Sequence, residues 1–509
     1  MSFSFGLLRE PWVPCIRMDG TPIELGLRDA LTSSHGLREL GGETPLIAGA
    51  LYRLMLAVLH RVFGPPTYRA WADLRDDGHW DGSRLDAYFC RWREHFDLFH
   101  PQHPFYQAPD ERVKPKAINS LIQDLAFGNK ATLFDHHTDE EGVALTPAQA
   151  ARAVVASQVF GLAGLAGTPQ KFTDGTCARG VLFLALGETL FETLTLNLLR
   201  YPDESVMPCS RDDRPAWEMD DPYTPDRIVP KGYLDYLTWQ NRRVLLLPEG
   251  GPEGVYVRYM TMAPALRLDA SVLDPMKHYS VDEKRGPAVL RFTEERALWR
   301  DSAALFRLHS KGYRPPWAFD WLAKIVDQGY LDRSQTRRYL ALGMANNQAR
   351  VDFYRAERMP LPLDYLDPRK EELVGRLEKA LQMAEEVARQ LWGATRKLAT
   401  FILAPEADAP GARQPAREDL DHLTDEWAVE RRYWSRLEVP FRQTMEAIPD
   451  GPDAALGTWR SILLKTAWAA FDEVASNLEA GTRALKAVVR ARDQLAMGLA
   501  LALPKEGAA

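Results

Sequence analysis

At 509 residues, with 46 % apolar and 10 % aromatic residues, the chain is globular and long enough for about two to four domains. Its formal net charge of −7 excludes a protein that coats nucleic acid through a uniformly basic surface, so any such contact has to be local and shaped. Cys15, Cys90, Cys177 and Cys209 form no CxxC pair, which argues against a disulfide framework or a cysteine zinc site, and "MSFSFGLLREPWVPC" has neither a basic start nor a sustained apolar run. The expectation is a soluble, cytoplasmic chain without a membrane span.

In chain order, the first long element is "PLIAGALYRLMLAVLHRVF", a helix opened by Pro45 with apolar residues at helical spacing. In "LFDHHTDEE" (133–141), Asp135, His136, His137, Asp139, Glu140 and Glu141 crowd together. Adjacent histidines project in different directions on a helix or a strand, whereas metal sites draw ligands at i, i+3/i+4 or from several elements. A polar loop is expected, with a metal-dependent hydrolase as the alternative. "LTPAQAARAVVASQ" then reads as helix, and "VFGLAGLAGTPQKF" (159–172) follows with Gly161, Gly164 and Gly167 at every third position. A phosphate loop would need a strand before it and Gly-Lys-Ser/Thr after it, but a helix precedes and Phe172 follows Lys171. "RRVLLLP" and "GVYVRYMTM" are short β runs. "RYLALGMANNQARVDFYRAERMPLP" (338–362) reads as strand, tight turn and strand, with Asn346 and Asn347 near the tip and Gln348 opening the second strand; asparagine tolerates left-handed backbone and bonds its own loop.

From Asp367 the composition changes to long Ala/Leu/Glu/Arg segments, 368–403, 416–447, 455–477 and 479–503, parted by "APEADAPGARQP" and "IPDGPDA". Pro440 is expected to kink the second. Amphipathic segments with short connections predict an antiparallel four-helix bundle, because each apolar stripe needs partners to bury it. The fold class is therefore α+β: a large mixed N-terminal domain, 1–364, followed by the bundle, 365–509. On the last helix Arg483, Lys486 and Arg490 fall at i, i+3 and i+7 and share one face, suited to a DNA strand or to plain solvation. No G-x-S-x-G elbow, HExxH or other catalytic signature occurs.

Seven stretches together resemble the large subunit, or CasA family, of the type I-E CRISPR Cascade surveillance complex. They are "LLREPWVP" (7–14), "TPLIAGALYRLMLAVLHR" (44–61), "RWREHFDLFHPQHPFYQ" (91–107), "LTWQNRR" (237–243), "DPMKHY" (274–279), "ALWRD" (297–301) and "GMANNQARVDFYRAERMPLP" (343–362). The resemblance implies a non-catalytic protein without cofactor or metal. It would recognise a protospacer-adjacent motif in double-stranded DNA, promote duplex opening and R-loop formation, and dock a helicase-nuclease in antiviral defence. Its implied partners are other Cascade subunits, the 5′ handle of the guide RNA and the target duplex, with no membrane. Gly164 and Gly167, with Gly161 as a third, would bring backbone to the motif's minor groove. Arg267, with Lys277 as fallback, would be the basic groove contact. Gln348, with Asn346 and Asn347, would be the wedge that parts the first base pair. Phe134, Asp135 and His136 would dock the RNA handle and a neighbouring subunit, and Arg483, Lys486 and Arg490 would meet the displaced strand. A hydrolase built on 135–141 and a pure assembly scaffold remain the alternatives.

Overall fold

The computed structural model describes residues 3–122, 143–223, 226–252, 254–294, 296–308, 310–347, 350–478 and 481–504. The chain mixes helix and sheet and divides into two compact units. The first comprises Met1–Glu294, Leu308–Arg333 and Arg337–Met359; the second comprises Glu295–Arg307, Ser334–Thr336 and Pro360–Ala509.

In the first unit the helix Pro45–Phe63 is the central rod, with Pro45 in its first turn where a missing N–H is harmless. It is the one described helix long and apolar enough to cross a membrane, and it is buried on nearly every side as a core helix is. It packs against the helices Pro147–Phe160 and Tyr233–Leu237. Pro147–Phe160 opens with a capping box, in which Thr146 Oγ1 accepts from the Gln149 N–H while the Gln149 side chain returns to the Thr146 N–H.

The described residues form four three-stranded sheets. One is built on the hairpin Arg242–Gly251 with Gly254–Pro264, registered from Arg242 opposite Pro264 to Gly251 opposite Gly254, with a shift beside Pro248 where the missing N–H interrupts the ladder. In another, Thr336–Asn347 lies between Arg350–Pro362 and Leu182–Leu186. Its pairing with Leu182–Leu186 runs from Arg338 to Leu342, so Gly343 to Asn347 extend past that partner.

The second unit contains five described helices: Glu371–Leu403, Arg417–Trp427, Val429–Ala447, Pro452–Ser476 and Thr482–Ala502. Glu371–Leu403 packs against each of the other four. The stretch expected as one helix over 416–447 is parted at Ala428, whose φ of 48° is left-handed, while helix continues through Pro440. Trp459 Nε1 donates to the Ala380 carbonyl at 2.8 Å and Tyr433 Oη to that of Ala384 at 3.0 Å, so buried aromatic rings keep their polar tips satisfied. "ALWRD" joins this unit: Trp299 packs on Phe441, and Arg300 lies over Trp434 and pairs with Glu385 at 2.7 Å.

Candidate functional site

The glycine loop begins where the helix Pro147–Phe160 ends. Its arms return onto each other through backbone bonds: Gly175 N–H to Gly161 O at 2.7 Å, Cys177 N–H to Val159 O at 2.7 Å, and the reciprocal pair of Gly164 with Phe172 at 3.0 and 3.3 Å. Asp174 Oδ1 accepts from the Ala163 N–H at 2.8 Å, tying the arms again.

Arg242, at the start of the long hairpin, holds this loop from beneath. Only 3 % exposed, it donates through Nη2 to the Leu162 carbonyl at 2.7 Å and to that of Thr173 at 3.4 Å, one on each arm, and lies over the Phe172 ring. Burial pushes its guanidinium down to about 10, partly opposed by Asp174, so it stays charged near neutrality. A second brace meets the returning arm. Lys277 Nζ donates to the carbonyls of Thr176 at 2.6 Å and Arg179 at 2.8 Å, and Asp274 pairs with fully buried Arg53 at 3.0 Å. Burial alone would raise the Asp274 carboxyl, but Arg53 and Lys277 outweigh it and hold it below the ordinary carboxylate range.

The three glycines therefore serve different ends. Gly161 is buried, and a Cβ there would stand 2.2 Å from Arg242 Cζ, so this glycine exists for packing; that corrects the expectation that it faces a duplex. Gly167 is exposed with φ of 71°, a conformation that side chains disfavour. Gly164 has ordinary backbone, and a Cβ there would meet nothing within 4 Å. Neither packing nor torsion explains it.

Gln170 Nε2 donates to the Ala265 carbonyl at 3.1 Å, which brings the loop beside the segment that carries Arg267. Arg267 is exposed and has no hydrogen-bond or ion-pair partner among the described residues. Lys277, the fallback, is 5 % exposed and spent on the loop's base, so it is a support and not a groove contact.

Asn346 and Asn347 end the strand Thr336–Asn347 and Arg350 opens the next described strand, on a different sheet from Arg242. Gln348 lies outside the described residues, as do Phe134, Asp135 and His136 with the rest of the acidic and histidine cluster. Of the last helix's cations, Arg483 Nη2 donates to the carbonyls of Ile402 at 2.6 Å and Leu403 at 3.1 Å, and Arg490 lies over Phe401. Lys486 is exposed and has no such partner among the described residues. Among those residues no group of three or more His, Cys, Asp or Glu side chains could hold a metal. Sequence reasoning does not reach Arg242, Asp174 or Gln170 as site residues; "LTWQNRR" contains Arg242, but nothing local marks its long-range task.

The sequence pattern of the family described as CRISPR-associated protein Cse1 matches residues 6–470. The chain belongs to the Cse1 family. It is 35 % identical over 508 residues to the CRISPR-associated protein CasA/Cse1 of Thermus thermophilus, covering 96 % of each chain. Among solved structures, it is similar to a CasA crystal structure from Thermus thermophilus at 31 % identity and a TM-score of 0.79, covering 98 % of this chain and 100 % of that one. A chain of a structure described as a CRISPR RNA-guided surveillance complex matches at 26 % identity and a TM-score of 0.76, covering 97 % of this chain and 99 % of that one.

Proposed function

We propose that this Cse1-family chain is the non-catalytic large subunit of a type I-E CRISPR Cascade complex, acting in the cytoplasm. In this reading it tests double-stranded DNA for a protospacer-adjacent motif through the minor groove, opens the duplex for R-loop formation and docks a helicase-nuclease. Its other partners are the remaining Cascade subunits and the 5′ handle of the guide RNA, with Phe134, Asp135 and His136 the docking residues. The helices after Glu371 form a four-helix bundle, with Arg417–Trp427 and Val429–Ala447 as one interrupted arm.

The observation that carries the reading is Gly164. A glycine that the fold does not need, on a braced and partly exposed loop beside exposed Arg267, suits an approach of backbone to base edges closer than any side chain allows. The minor groove presents a degenerate donor and acceptor pattern, so motif choice would be loose. Opening is a second step, assigned to Asn346, Asn347 and Gln348, because a flat amide can lie against an exposed base while its edge finds new partners.

The test is Gly164→Asp in the reconstituted complex. Its carboxylate should weaken motif-bearing duplexes far more than complementary single strands, while the fold is unaffected. Equal loss on both substrates, or no loss on the duplex, removes the groove reading. Replacing Asn346, Asn347 and Gln348 by Ala should slow R-loop formation on linear duplex and be rescued by negative supercoiling, which supplies opening energy. A pure scaffold would show neither effect.

A further inference from the structure

Leu165, between Gly164 and Gly167, is 84 % exposed, the largest fraction of any large apolar side chain among the described residues. A leucine held in water is ordinary on a loose surface, but this one directly follows the Gly164–Phe172 pair on a loop whose two arms are bonded to each other and clamped by Arg242. On one side the space around Gly164 is open, and on the other Gly167 turns the chain with nothing beside it. Leu165 is thus an exposed apolar side chain whose flanking Gly164, Ala166 and Gly167 add little bulk beside it.

We infer that Leu165 is an apolar wedge that enters a base step from the minor groove when the Gly164 backbone meets the motif. This rests on the groove reading given above and adds a residue and a mechanical consequence to it. Leucine has no hydrogen-bonding group, so it cannot read base edges. Inserted between stacked pairs, such a side chain partly unstacks them and kinks the duplex toward the major groove. The effect is largest at pyrimidine–purine steps, which part most easily. Recognition and the first weakening of stacking then happen at one contact, before the hairpin tip acts on the neighbouring pair.

The experiment uses the full complex with a motif-bearing duplex carrying donor and acceptor dyes at its ends, and a 2-aminopurine beside the motif. Leu165→Ala should reduce the bend and slow opening of linear duplex about tenfold, a difference of about 1.4 kcal/mol in barrier. It should leave a duplex with a pre-opened bubble nearly unaffected, and Leu165→Phe should restore the bend. Because Leu165 touches solvent, both variants should fold. If Leu165→Ala bends and opens the duplex like wild type while Gly164→Asp abolishes duplex binding, the wedge is overturned and the groove reading stands. Equal loss on the bubbled duplex also overturns it, since Leu165 would then serve a protein contact. If Gly164→Asp leaves duplex binding intact, both fall together.

Discussion

The Cα of Gly161 is packed against the guanidinium of Arg242 so closely that a Cβ would stand 2.2 Å from Cζ and 2.5 Å from Nη1. The displaced group would be a buried charge already bonded to Leu162 and Thr173, so it has nowhere else to go. Gly161→Ala should therefore destabilise the chain by about 2 kcal/mol, within the range for overpacking a well-filled site. Gly164→Ala, in open space with ordinary backbone, should stay within about 0.5 kcal/mol of wild type. Urea denaturation of the two variants separates these outcomes. A Gly161→Ala chain as stable as Gly164→Ala would mean the loop's base is not clamped as described.

Three glycines in one short run thus stand in three different settings, one packed, one left-handed and one in open space, and this marks how far the sequence could be read. Local signals were legible. Pro45 and Pro147 stand in the first turns of their helices, and the β runs from Arg242 and Gly254 pair into a hairpin. Asn346 and Asn347 end a strand as a turn signal predicts. Long-range causes were not. Arg242 is about 80 residues from the carbonyl it holds, and no periodicity encodes that distance. Ala428 is a helix former placed in left-handed backbone, beside Val429, Tyr433 and Trp434, all buried; tertiary packing overrides propensity there. Pro440, the residue with the strong local signal, lies inside helix.

The ion pair of Arg53 with Asp274 joins the central helix to the segment that supports the returning arm of the loop. Both side chains are essentially unexposed, and the Cys177 thiol donates to the same carboxylate at 3.4 Å. Removing one charge leaves the other buried without its counterion, which costs more than the pair contributes. Asp274→Asn should cost about 3 to 5 kcal/mol of stability. Arg53→Met with Asp274→Asn together should cost less than the sum of the two single changes, because the stranded charge is gone. A double-mutant cycle by chemical denaturation reads the coupling; strict additivity would argue against the pair as a unit.

His60 sits in the same helix, 1 % exposed, with Nδ1 2.8 Å from the Leu56 carbonyl and its ring edge-on to Tyr233 and Tyr201. Burial pushes it down to about 4, with the Leu56 and Leu199 carbonyls opposing only partly. Between that value and the unfolded value near 6.5, the unfolded chain binds a proton that the folded chain does not. Stability is therefore fully present above about pH 6.5 and is lost as pH falls toward 4, by about 1.4 kcal/mol per unit and ~3 kcal/mol in all. His60→Phe should flatten this part of the stability profile between pH 4.5 and 6.5. Parallel profiles for the two proteins would place the acid sensitivity elsewhere.

The last helix separates charges that look alike in sequence. Arg483 meets the carbonyls of Ile402 and Leu403 at the end of Glu371–Leu403, where the final turn of a helix leaves acceptors without partners, and Arg490 covers Phe401 and reaches the Pro405 carbonyl at 3.4 Å. These two guanidiniums complete a helix end, whereas exposed Lys486 has only solvent among the described residues. Arg483→Ala should cost about 1 kcal/mol of stability, as loss of a charge-assisted bond at a surface would, and its effect on DNA should follow from that loss. Lys486→Ala should leave unfolding unchanged. If the displaced strand runs along this face, Lys486→Ala should also lower the slope of log affinity against log salt by about 0.7 in the R-loop complex, the share of one single-strand phosphate. Titrating the complex over a series of salt concentrations measures that slope directly. An unchanged slope for Lys486→Ala, beside a lowered one for Arg483→Ala, would reverse the assignment and make the helix-capping arginine the strand contact.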